Sequence, residues 1–349
     1  MGCGPAPAVA PSRDPVDLSV DWTLTAPESV GMDEPLLTAA LGATSSIDGL
    51  ESVAVVRRGR LVAERYLGTA SAEAPHPIRS VTKSVIALLV GQAIERGVFS
   101  DPGEALAATF HPPLPVLAGE QATLTLDELL TMTSGFQWDE GGSGAGYNAW
   151  VLAPDQIEYL LARPFSAPPG TEWNYNSAAV HLLSAAITSA SGMGTDLFAD
   201  ETLLGPLGIR VRTWEVDNRG IPNGGAGLSL RTRDLAKVGT LVLQGGRSGT
   251  TQVVPRAWLD AAIRPWRVTP AGFRFTGVLD YGRLWWLGRM AGNDLQLAWG
   301  HGGQFVAIFP GLDLVVVTTA RWQGIGGAAA DQEAAILGWV AESILPAVH

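Results

Sequence analysis

The stretch IRSVTKSVIALLV, from Ile78 to Val90, places a lysine inside one of the most apolar runs of the chain. Lys83 is one of only two lysines in the 349 residues, the other being Lys237. The apolar spacing predicts a buried helix that begins at Ser80, and Lys83 lies three residues, or one helical turn, beyond that serine. Burying a cation is costly, so its presence here suggests a function that involves the neighbouring Ser80.

Ser80 and Lys83 together have the features of an activated nucleophile. A serine hydroxyl is weakly nucleophilic until a base takes its proton, and a helix N-terminus favours the negative charge that then develops. The apolar surroundings of Lys83 would remove water from its ammonium group and lower its pKa, which makes it a candidate general base. The alternative is a lysine that extends its charged end to water from a helix edge. We predict that Lys83 acts on Ser80.

Composition and charge restrict the class of protein. The chain is 46% hydrophobic and 16% charged, as folded globular proteins are. Its net charge of −11 argues against nucleic acid or an anionic membrane surface as a partner, because phosphate would be repelled. The single cysteine, Cys3, permits neither an intramolecular disulfide nor a Cys/His zinc pattern. No integral membrane segment is expected, since no apolar run reaches the roughly 18–20 residues that span a bilayer.

Residues 1–20 are predicted to be a disordered leader or linker rich in proline and alanine. The pair Gly2-Cys3 before this linker is similar to what remains of a bacterial lipoprotein after its signal is removed. On that interpretation the protein is periplasmic or extracellular and lipid-anchored through Cys3. The alternative is a cytoplasmic protein with a disordered leader. The myristoylation pattern fails because Ala6 stands where serine or threonine is required.

Strand patterns lie near both ends of the chain and helix patterns lie between them. Residues 51–68 predict a hairpin turned at Arg58-Gly59, and strand patterns return between Tyr281 and Trp322. The predicted helices include Asp33–Ile47, Ser80–Val98, Thr125–Gly135 with Thr125 as N-cap, Ser177–Gly192 and Asp331–Leu345.

This order predicts an α+β fold. An antiparallel β-sheet built from both ends of the chain would be flanked by the N- and C-terminal helices, with an all-helical domain inserted in the middle. The sheet domain would comprise residues 21–79 and 265–349, and the helical domain residues 80–264. The active site is expected at their junction, where a cleft forms.

The stretch PGTEWNYNSAAVHLL, Pro168 to Leu183, supplies a second candidate for the site. Tyr175 lies just before a helix that begins near Ser177. A tyrosine beside a lysine cation can have its pKa lowered and can shuttle a proton. The alternative is a tyrosine that only packs at a helix start.

The stretch WGHGGQFVAIFPGLDLVVV, Trp299 to Val317, supplies a third. Gly302-Gly303 at the start of an inner strand would let the backbone approach a substrate closely. The amide of Gln304 is then a candidate oxyanion-hole donor, paired with the amide of Ser80. The alternative is an ordinary glycine pair in a hairpin.

Taken in order along the chain, these segments resemble the serine β-lactamase and penicillin-binding-protein-like superfamily. The most similar branch is the class C β-lactamase-like one, with its esterases and 6-aminohexanoate-dimer hydrolases. The resemblance runs from about Asp33 to Leu345 and includes LLTMTSGFQW, PGTEWNYNS and HGGQ. It implies a β-lactamase/transpeptidase-like fold, with Ser80 as the acylated nucleophile and Lys83 and Tyr175 as a proton-transfer pair. Which of the two takes the serine proton stays open. The amides of Ser80 and Gln304 would form the oxyanion hole, and neither a metal nor an organic cofactor is implied.

Two departures from the family pattern bear on the substrate. The Tyr-x-Asn motif appears as Tyr175-Asn176-Ser177, so the amide that would hold the substrate's own amide group is missing or displaced. The Lys-Thr/Ser-Gly motif appears as His301-Gly302-Gly303, which replaces a permanent cation with a residue that is mostly neutral at pH 7. These positions, Asn176 and Ser177 included, are expected to face the substrate. Both departures favour esters or uncharged amides over β-lactams.

Four further sets of residues bear on the prediction: a Ser-His-Asp triad, an acidic pair, the tryptophans near the site segments and the histidines. No Ser-His-Asp triad is indicated, and Gly141–Ala145 only approaches the G-x-S-x-G pattern. Asp139-Glu140 are expected to be solvated charges. Tryptophans near the site segments either line an acyl pocket or pack in the core. These tryptophans are Trp138, Trp150, Trp173 and Trp299. The histidines expected on the surface or on a helix face are His76, His111, His181 and His349.

The predicted function is therefore a serine hydrolase that acts through an acyl-enzyme on carboxylic esters with small or medium acyl groups. The alternatives are a linear amide hydrolase of the 6-aminohexanoate-dimer type, a β-lactamase or D-alanyl peptidase, and a non-catalytic penicillin-binding-like receptor that is acylated without turnover. The partner would be a small-molecule ester or amide. The sequence carries no indication of the oligomeric state.

Overall fold

The computed structural model of the protein describes residues 14–142 and 146–349. Cys3 and most of the predicted leader lie outside the described residues, as do Ser143–Ala145 of the glycine-rich loop. From Val16 onward the chain contacts the rest of the protein. The amide of Val16 donates to the side chain of Gln244 at 2.8 Å.

The strands account for both ends of the chain. They are β1 (Leu50–Arg57), β2 (Arg60–Tyr66), β3 (His76–Pro77), β4 (Arg212–Trp214), β5 (Leu228–Leu230), β6 (Arg247–Ser248), β7 (Thr251–Gln252), β8 (Arg267–Phe273), β9 (Gly277–Tyr281), β10 (Trp286–Met290), β11 (Asn293–Gly300), β12 (Gln304–Phe309) and β13 (Leu314–Ala320).

Eight of these strands form one sheet in the order β2-β1-β13-β12-β11-β10-β9-β8. Neighbouring strands are antiparallel. β1, near one end of the chain, pairs with β13, near the other, and Val55 lies opposite Val316. All residues of β12 and β13 are buried, as happens when both faces of a sheet are covered. The predicted antiparallel sheet built from both ends of the chain is confirmed.

The predicted hairpin between β1 and β2 is also confirmed. Arg57 pairs with Arg60, and the two residues between them have positive φ angles of 53° at Arg58 and 72° at Gly59. A two-residue turn with both central residues in the left-handed region matches the twist of the strands that it joins.

The helices lie mostly between the strands of the two ends. They are α1 (Glu34–Ala43), α2 (Val81–Glu95), α3 (Leu106–Thr109), α4 (Leu126–Leu130), α5 (Tyr147–Val151), α6 (Gln156–Leu161), α7 (Ser177–Ser191), α8 (Thr195–Ala199), α9 (Thr232–Leu243), α10 (Arg256–Ala262) and α11 (Ala329–Trp339). Short π-helical segments, Asp200–Leu204 and Val340–Ile344, continue α8 and α11.

Cap chemistry explains where two predicted helices begin and end. Thr125 and Glu128 form a capping box at the start of α4, as expected for an N-cap threonine. This helix ends at Leu130 rather than near Gly135, because Met132 already has a left-handed φ of 59°. Gly192 closes α7 in the left-handed conformation, with a φ of 73°.

The helix α2 carries the stretch IRSVTKSVIALLV and is buried along almost its whole length. It packs against α7 and against β11. The end of β11 approaches the start of α2 closely, since a Cβ at Gly300 would lie 2.4 Å from the carbonyl oxygen of Ile78. The N-terminus of α2 therefore lies where helices meet the sheet.

Two other contacts show how helices cover the sheet. α9 packs on β1, β12 and β13, and a Cβ at Gly239 would lie 2.6 Å from Val306. Trp339 of α11 donates to the carbonyl of Ala40 in α1 at 2.8 Å, which joins the first and last helices. The α+β fold class is confirmed. The division into residues 21–79 with 265–349 and residues 80–264 stays a prediction.

No helix within residues 14–142 and 146–349 is long and apolar enough to cross a membrane.

Candidate active site

Ser80 is the N-cap residue just before α2, and its hydroxyl makes no capping bond to the helix. That hydroxyl is instead contacted by Lys83, whose Nζ lies 2.8 Å from Ser80 Oγ. One helical turn separates the two residues, as the sequence spacing predicts. Arg79, just before the serine, has a left-handed φ of 51°, so the chain enters the helix through a sharp bend.

Lys83 is almost completely removed from water. Its side chain is 1% exposed, although it carries an ammonium group. Besides Ser80, Nζ donates to Ser177 Oγ at 2.8 Å and to the carbonyl oxygen of Gly225 at 2.6 Å. Three hydrogen bonds use all the donors that a lysine ammonium has. The group is fully satisfied by neutral acceptors.

Burial lowers the pKa of Lys83 from its usual value to about 7. The main cause is loss of hydration, which penalises the charged form. The carboxylate of Glu140 opposes that effect, and the guanidinium of Arg79 adds to it. Near neutral pH a substantial fraction of Lys83 is therefore an uncharged amine that can accept a proton.

Tyr175 lies beside Lys83 in a cluster of aromatic rings. The Lys83 Nζ is 4.8 Å from the centre of the Tyr175 ring. That ring stacks on Trp286 with centres 5.8 Å apart, and it contacts Trp173 and Tyr281 at its edges. The structure brings Ser80, Lys83 and Tyr175 into one site, as the two sequence segments that carry them predict.

The expected lowering of the Tyr175 pKa is wrong. Loss of hydration raises the pKa of Tyr175 well above that of a free phenol, and the negative charge of Glu140 adds to the rise. A hydrogen bond with Ser80 opposes this only in part. Burial in the aromatic cluster therefore keeps Tyr175 protonated at neutral pH, with a hydroxyl that can donate a hydrogen bond.

Asn176 and Ser177 begin α7 and take different positions. Asn176 is the N-cap, its side chain accepts from the amide of Ala179 at 3.0 Å, and it is fully buried. Its side-chain nitrogen has no partner within the described residues. Ser177 points to Lys83 and is fully buried too. Neither residue lines the cavity described below.

Glu140 is not the solvated charge that its glycine-rich surroundings suggest. Its carboxylate accepts a short hydrogen bond from the hydroxyl of Ser177 and another from the amide of Ser177 at 3.0 Å. The indole nitrogen of Trp138 donates to the same carboxylate at 2.6 Å. Only its position five residues after the LLTMTSG segment pointed to the site.

The turn His301-Gly302-Gly303 joins β11 to β12 next to this site. Gly302 and Gly303 have φ angles of 84° and 99°, which strongly favour glycine. A Cβ at Gly303 would lie 2.4 Å from Ile336 of α11. The amide of Gly302 donates to the carboxyl of Glu333 at 2.6 Å. The glycines are therefore required by backbone conformation and by close packing.

His301 and Gln304 flank the two glycines. Burial, helped by Arg79, lowers the pKa of His301 below its usual value, so it is neutral at pH 7 as expected. The side chain of Gln304 is fully buried and bonds to the carbonyl of Ala320 at 2.7 Å. Its role as an amide donor to a substrate stays a prediction.

A cavity of about 780 Å³ opens in front of Ser80. Its lining includes six aromatic residues and four groups that can carry charge. The aromatic residues are Tyr147, Trp173, Tyr175, Trp286, Trp299 and Trp322, and the others are Arg79, Glu140, His301 and Glu333. Of the four tryptophans considered from sequence, Trp173 and Trp299 line the cavity, while Trp138 and Trp150 are buried.

Two buried acidic side chains near the site were not predicted. Glu333 lies on α11, and burial raises its pKa to about 7. Asp217 accepts from His181 Nε2 at 3.0 Å, and His181 Nδ1 accepts from the amide of Gly224. The next residue, Gly225, is the one whose carbonyl binds Lys83.

The expectation that four histidines lie on the surface or on a helix face is wrong in part. His181 is fully buried and His76 nearly so, whereas His111 and His349 are exposed as expected. His181 is buried because α7 packs on other helices on several sides. A helix that is apolar on most of its faces could have indicated this.

The chain is similar to known hydrolases. The sequence model of the β-lactamase family matches residues 37–338. Esterase EstB from Burkholderia gladioli is 29% identical over 223 residues, which are 58% of this chain and 54% of the esterase. The match therefore spans about half the length of that relative. The 6-aminohexanoate-dimer hydrolase from Paenarthrobacter ureafaciens is 26% identical over 285 residues, 77% of this chain and 71% of that enzyme.

The fold is shared with a solved structure. A protein from Bacillus anthracis, provisionally named a 6-aminohexanoate-dimer hydrolase, superposes with a TM-score of 0.74. The sequences are 19% identical, and the superposition covers 96% of this chain and 88% of the other. At this identity the likeness concerns the fold alone.

Proposed function

The chain belongs to the β-lactamase family and is a serine hydrolase of the β-lactamase-like superfamily, and from that premise we propose that it cleaves carboxylic esters through an acyl-enzyme. The observation that carries the proposal is the contact of 2.8 Å between Lys83 Nζ and Ser80 Oγ. The burial that lowers the pKa of Lys83 to about 7 supplies the base that the serine needs.

In the proposed mechanism, neutral Lys83 takes the proton of Ser80 as Oγ bonds to the carbonyl carbon of the ester. The negative charge moves to the carbonyl oxygen, where the amides of Ser80 and Gln304 donate hydrogen bonds to it. The bond to the alcohol then breaks, and the leaving oxygen takes a proton from Tyr175, which is replenished from Lys83. Water adds to the acyl-enzyme in the same way, giving its proton to the base and releasing the acid as Ser80 is reprotonated.

The charges of the cavity support esters over β-lactams as substrates. His301 stands where a permanent cation would hold the carboxylate of a lactam, and burial keeps it neutral. Glu140 lines the same cavity, and its carboxylate would repel that of the lactam. Arg79 is the one arginine of the lining, but its guanidinium lies 4.0 Å from the ring centre of Trp322 and donates to the hydroxyl of Tyr147.

The location of the site is part of the proposal. We place it at the junction of the predicted helical domain, residues 80–264, with the predicted sheet domain, residues 21–79 and 265–349. The contact between Gly300 at the end of β11 and the residues before Ser80 supports this placement.

The test is hydrolysis of a short p-nitrophenyl ester and of a chromogenic cephalosporin, by the wild type and by Ser80→Ala. We expect ester cleavage that vanishes with Ser80 and little lactam cleavage. Ser84→Ala is the matched control, since the hydroxyl of this serine of the same helix donates to the carbonyl of Leu284 and not to the Lys83 amine. Fast lactam cleavage would contradict the argument from His301, and retained ester cleavage by Ser80→Ala would contradict the nucleophile.

A linear amide hydrolase is the second candidate. The match to the 6-aminohexanoate-dimer hydrolase covers 77% of the chain, more than the 58% covered by the esterase match. Release of amine from a linear 6-aminohexanoate dimer, with a kcat/KM above that for the ester, would make the amide function primary.

A receptor that is acylated without turnover is the remaining alternative. The mass of the intact protein after mixing with a substrate separates the two cases. An adduct on Ser80 that disappears with time indicates an enzyme, and one that persists indicates a receptor.

A further inference from the structure

A chain of hydrogen bonds leads from Lys83 to a carboxylate. Lys83 Nζ donates to Ser177 Oγ at 2.8 Å, and the hydroxyl of Ser177 donates to Glu140 Oε1. The other oxygen of Glu140 accepts from the amide of Ser177 at 3.0 Å and from the indole of Trp138 at 2.6 Å. Glu140 is thereby held at the N-terminus of α7, where the helix dipole favours a negative group.

These contacts determine the direction in which the Ser177 hydroxyl points. A hydroxyl has one proton to donate, and a carboxylate can only accept. The proton of Ser177 is therefore directed at Glu140, and only its lone pairs face Lys83. Ser177 acts towards Lys83 as an acceptor, like the carbonyl of Gly225 on another side of the amine.

The direction of the Ser177 hydroxyl proton decides where the lone pair of neutral Lys83 points. An uncharged amine has two N–H donors and one lone pair. With Ser177 and Gly225 both acting as acceptors, the two N–H groups are used on them, and the lone pair is left for the hydroxyl of Ser80. If Ser177 donated instead, it would occupy the lone pair and leave Lys83 unable to take the proton of Ser80.

We propose that Glu140 is a positioning residue that holds the hydroxyl proton of Ser177 away from Lys83, so that the lone pair of the lysine is directed at Ser80. This inference rests on the proposed function, in which Lys83 is the base. It also accounts for the serine that replaces the third residue of the Tyr-x-Asn motif. Ser177 serves the lysine instead of the substrate.

Other charged or titratable groups also face Lys83. Arg79 approaches from the start of α2, Tyr175 from the segment before α7 and Glu140 from the loop after α4. Glu140 raises the pKa of Lys83 and Arg79 lowers it. Loss of the Glu140 charge should therefore lower the pKa of Lys83 and move the acid limb of the rate profile to lower pH.

Glu140→Gln is the informative substitution, because two fixed N–H donors decide how the amide sits. The amide of Ser177 and the indole of Trp138 both need an acceptor, so the glutamine oxygen should face them. The glutamine NH₂ then faces Ser177 Oγ and donates to it. The hydroxyl proton of Ser177 is thereby turned towards Lys83, which reverses the wild-type arrangement.

The test is the pH profile of kcat/KM for a p-nitrophenyl ester in wild type, Glu140→Gln, Ser177→Ala and the double variant. We expect Glu140→Gln to lower the plateau at least about 10-fold and to move the acid limb down by about one pH unit. In the Ser177→Ala background the same change should alter the plateau less than about 3-fold, because the hydroxyl that it reverses is gone. Equal losses in both backgrounds, or an acid limb that does not move, would overturn the proposal.

Three control variants distinguish an action of Glu140 on Lys83 from a general effect of removing charge. Glu120→Gln removes an exposed carboxylate outside the cavity lining and should change neither quantity. Glu333→Gln tests the other carboxyl, which has a pKa of about 7, and the acid limb should stay in place. A limb that moves with Glu333 instead of Glu140 would contradict the proposal. Lys83→Ala in the same assay reports on the proposed function itself, and retained activity there would remove the base rather than its positioning residue.

If Glu140→Gln folds poorly, Ser177→Ala provides a second test. Ser177→Ala alone leaves Glu140 in place and removes one acceptor of the Lys83 ammonium. Its acid limb should then move to lower pH. An unchanged limb and plateau in Ser177→Ala would show that this contact does not act on Lys83.

Discussion

Lys83 and Lys237 are the two lysines of the chain, and each side chain is 1% exposed. Both lie in helices whose neighbouring residues are mostly apolar. Lys237 Nζ donates to the carbonyl of Leu207 at 3.0 Å and lies 3.4 Å from the carboxylate of Asp21, which is itself exposed to water. The hydrogen-bond partners of Lys83 are two hydroxyls and a carbonyl, and no carboxylate of the described residues bonds to its amine.

Lys83 and Lys237 are therefore equally buried, but their hydrogen-bond partners differ. A buried ammonium beside a carboxylate gains Coulomb attraction that offsets its loss of hydration. One that meets only neutral acceptors lacks that gain and can release its proton near neutral pH. The carboxylate of Glu140 does not touch Lys83, because the hydroxyl of Ser177 lies between them and bonds to both. Lys237 therefore has the surroundings of a structural lysine, and Lys83 those of a candidate base.

The largest expected effect is the loss of activity on truncating Lys83, with the truncation of Lys237 as the comparison. Lys83→Ala should lower kcat/KM for the ester at least about 10³-fold, because the members of a catalytic unit fail together. Lys237→Ala should keep kcat/KM within about 3-fold and lower the free energy of unfolding by about 1–3 kcal/mol, since the buried carbonyl of Leu207 loses its partner. Steady-state kinetics and denaturant unfolding measure the two quantities. Equal losses of activity in the two variants would contradict the distinction.

Tyr175→Phe tests the proton donor next to Lys83. The substitution keeps the ring in its aromatic cluster and removes only the hydroxyl. We expect kcat/KM to fall about 10²-fold, the usual contribution of a general acid–base group. Tyr281→Phe is the matched control in the same cluster, and its loss should be smaller. A near-wild-type rate for Tyr175→Phe would remove this residue from the mechanism.

The smallest effect is expected from the substitution His301→Lys. His301→Lys adds a permanent cation at the cavity, where it can pair with a carboxylate on a β-lactam. We expect the KM or inhibition constant of a carboxylate-bearing β-lactam to fall about 10-fold relative to an uncharged ester. His111→Lys, on the exposed surface outside the cavity lining, adds the same charge and should have no such effect. An unchanged preference in His301→Lys would show that the position does not face the substrate.

Much of the fold could be predicted because local chemistry determines it. The turn at Arg58-Gly59, the N-cap at Thr125 and the closing glycine at Gly192 each depend on residues close together in sequence. The pairing of Ser80 with Lys83 is predictable for the same reason, because one helical turn connects them. The extension of helix α4 to Gly135 was wrong, since a left-handed residue at Met132 leaves no sequence signal.

The rest of the site depends on contacts between distant segments. Glu140 and Ser177 are 37 positions apart, and His181 and Asp217 are 36 apart. An acidic pair in a glycine-rich loop has the composition of a solvated turn, and nothing local shows that one of its members is turned inward. The predicted direction of the Tyr175 pKa shift was wrong because it depends on an aromatic cluster contributed by β9, β10 and the segment before α7.

The most direct test of the central claim is the rate of labelling by a fluorophosphonate as a function of pH, with the labelled residue located by peptide mass. The wild type and Lys237→Ala should be labelled on Ser80, at a rate that rises with pH through about 7 as Lys83 loses its proton. Below that pH the lysine is protonated and cannot take the serine proton, so the rate should fall. Lys83→Ala should show little labelling at any pH in this range. Labelling of another residue, or labelling of Lys83→Ala at the rate of Lys237→Ala, would contradict the account.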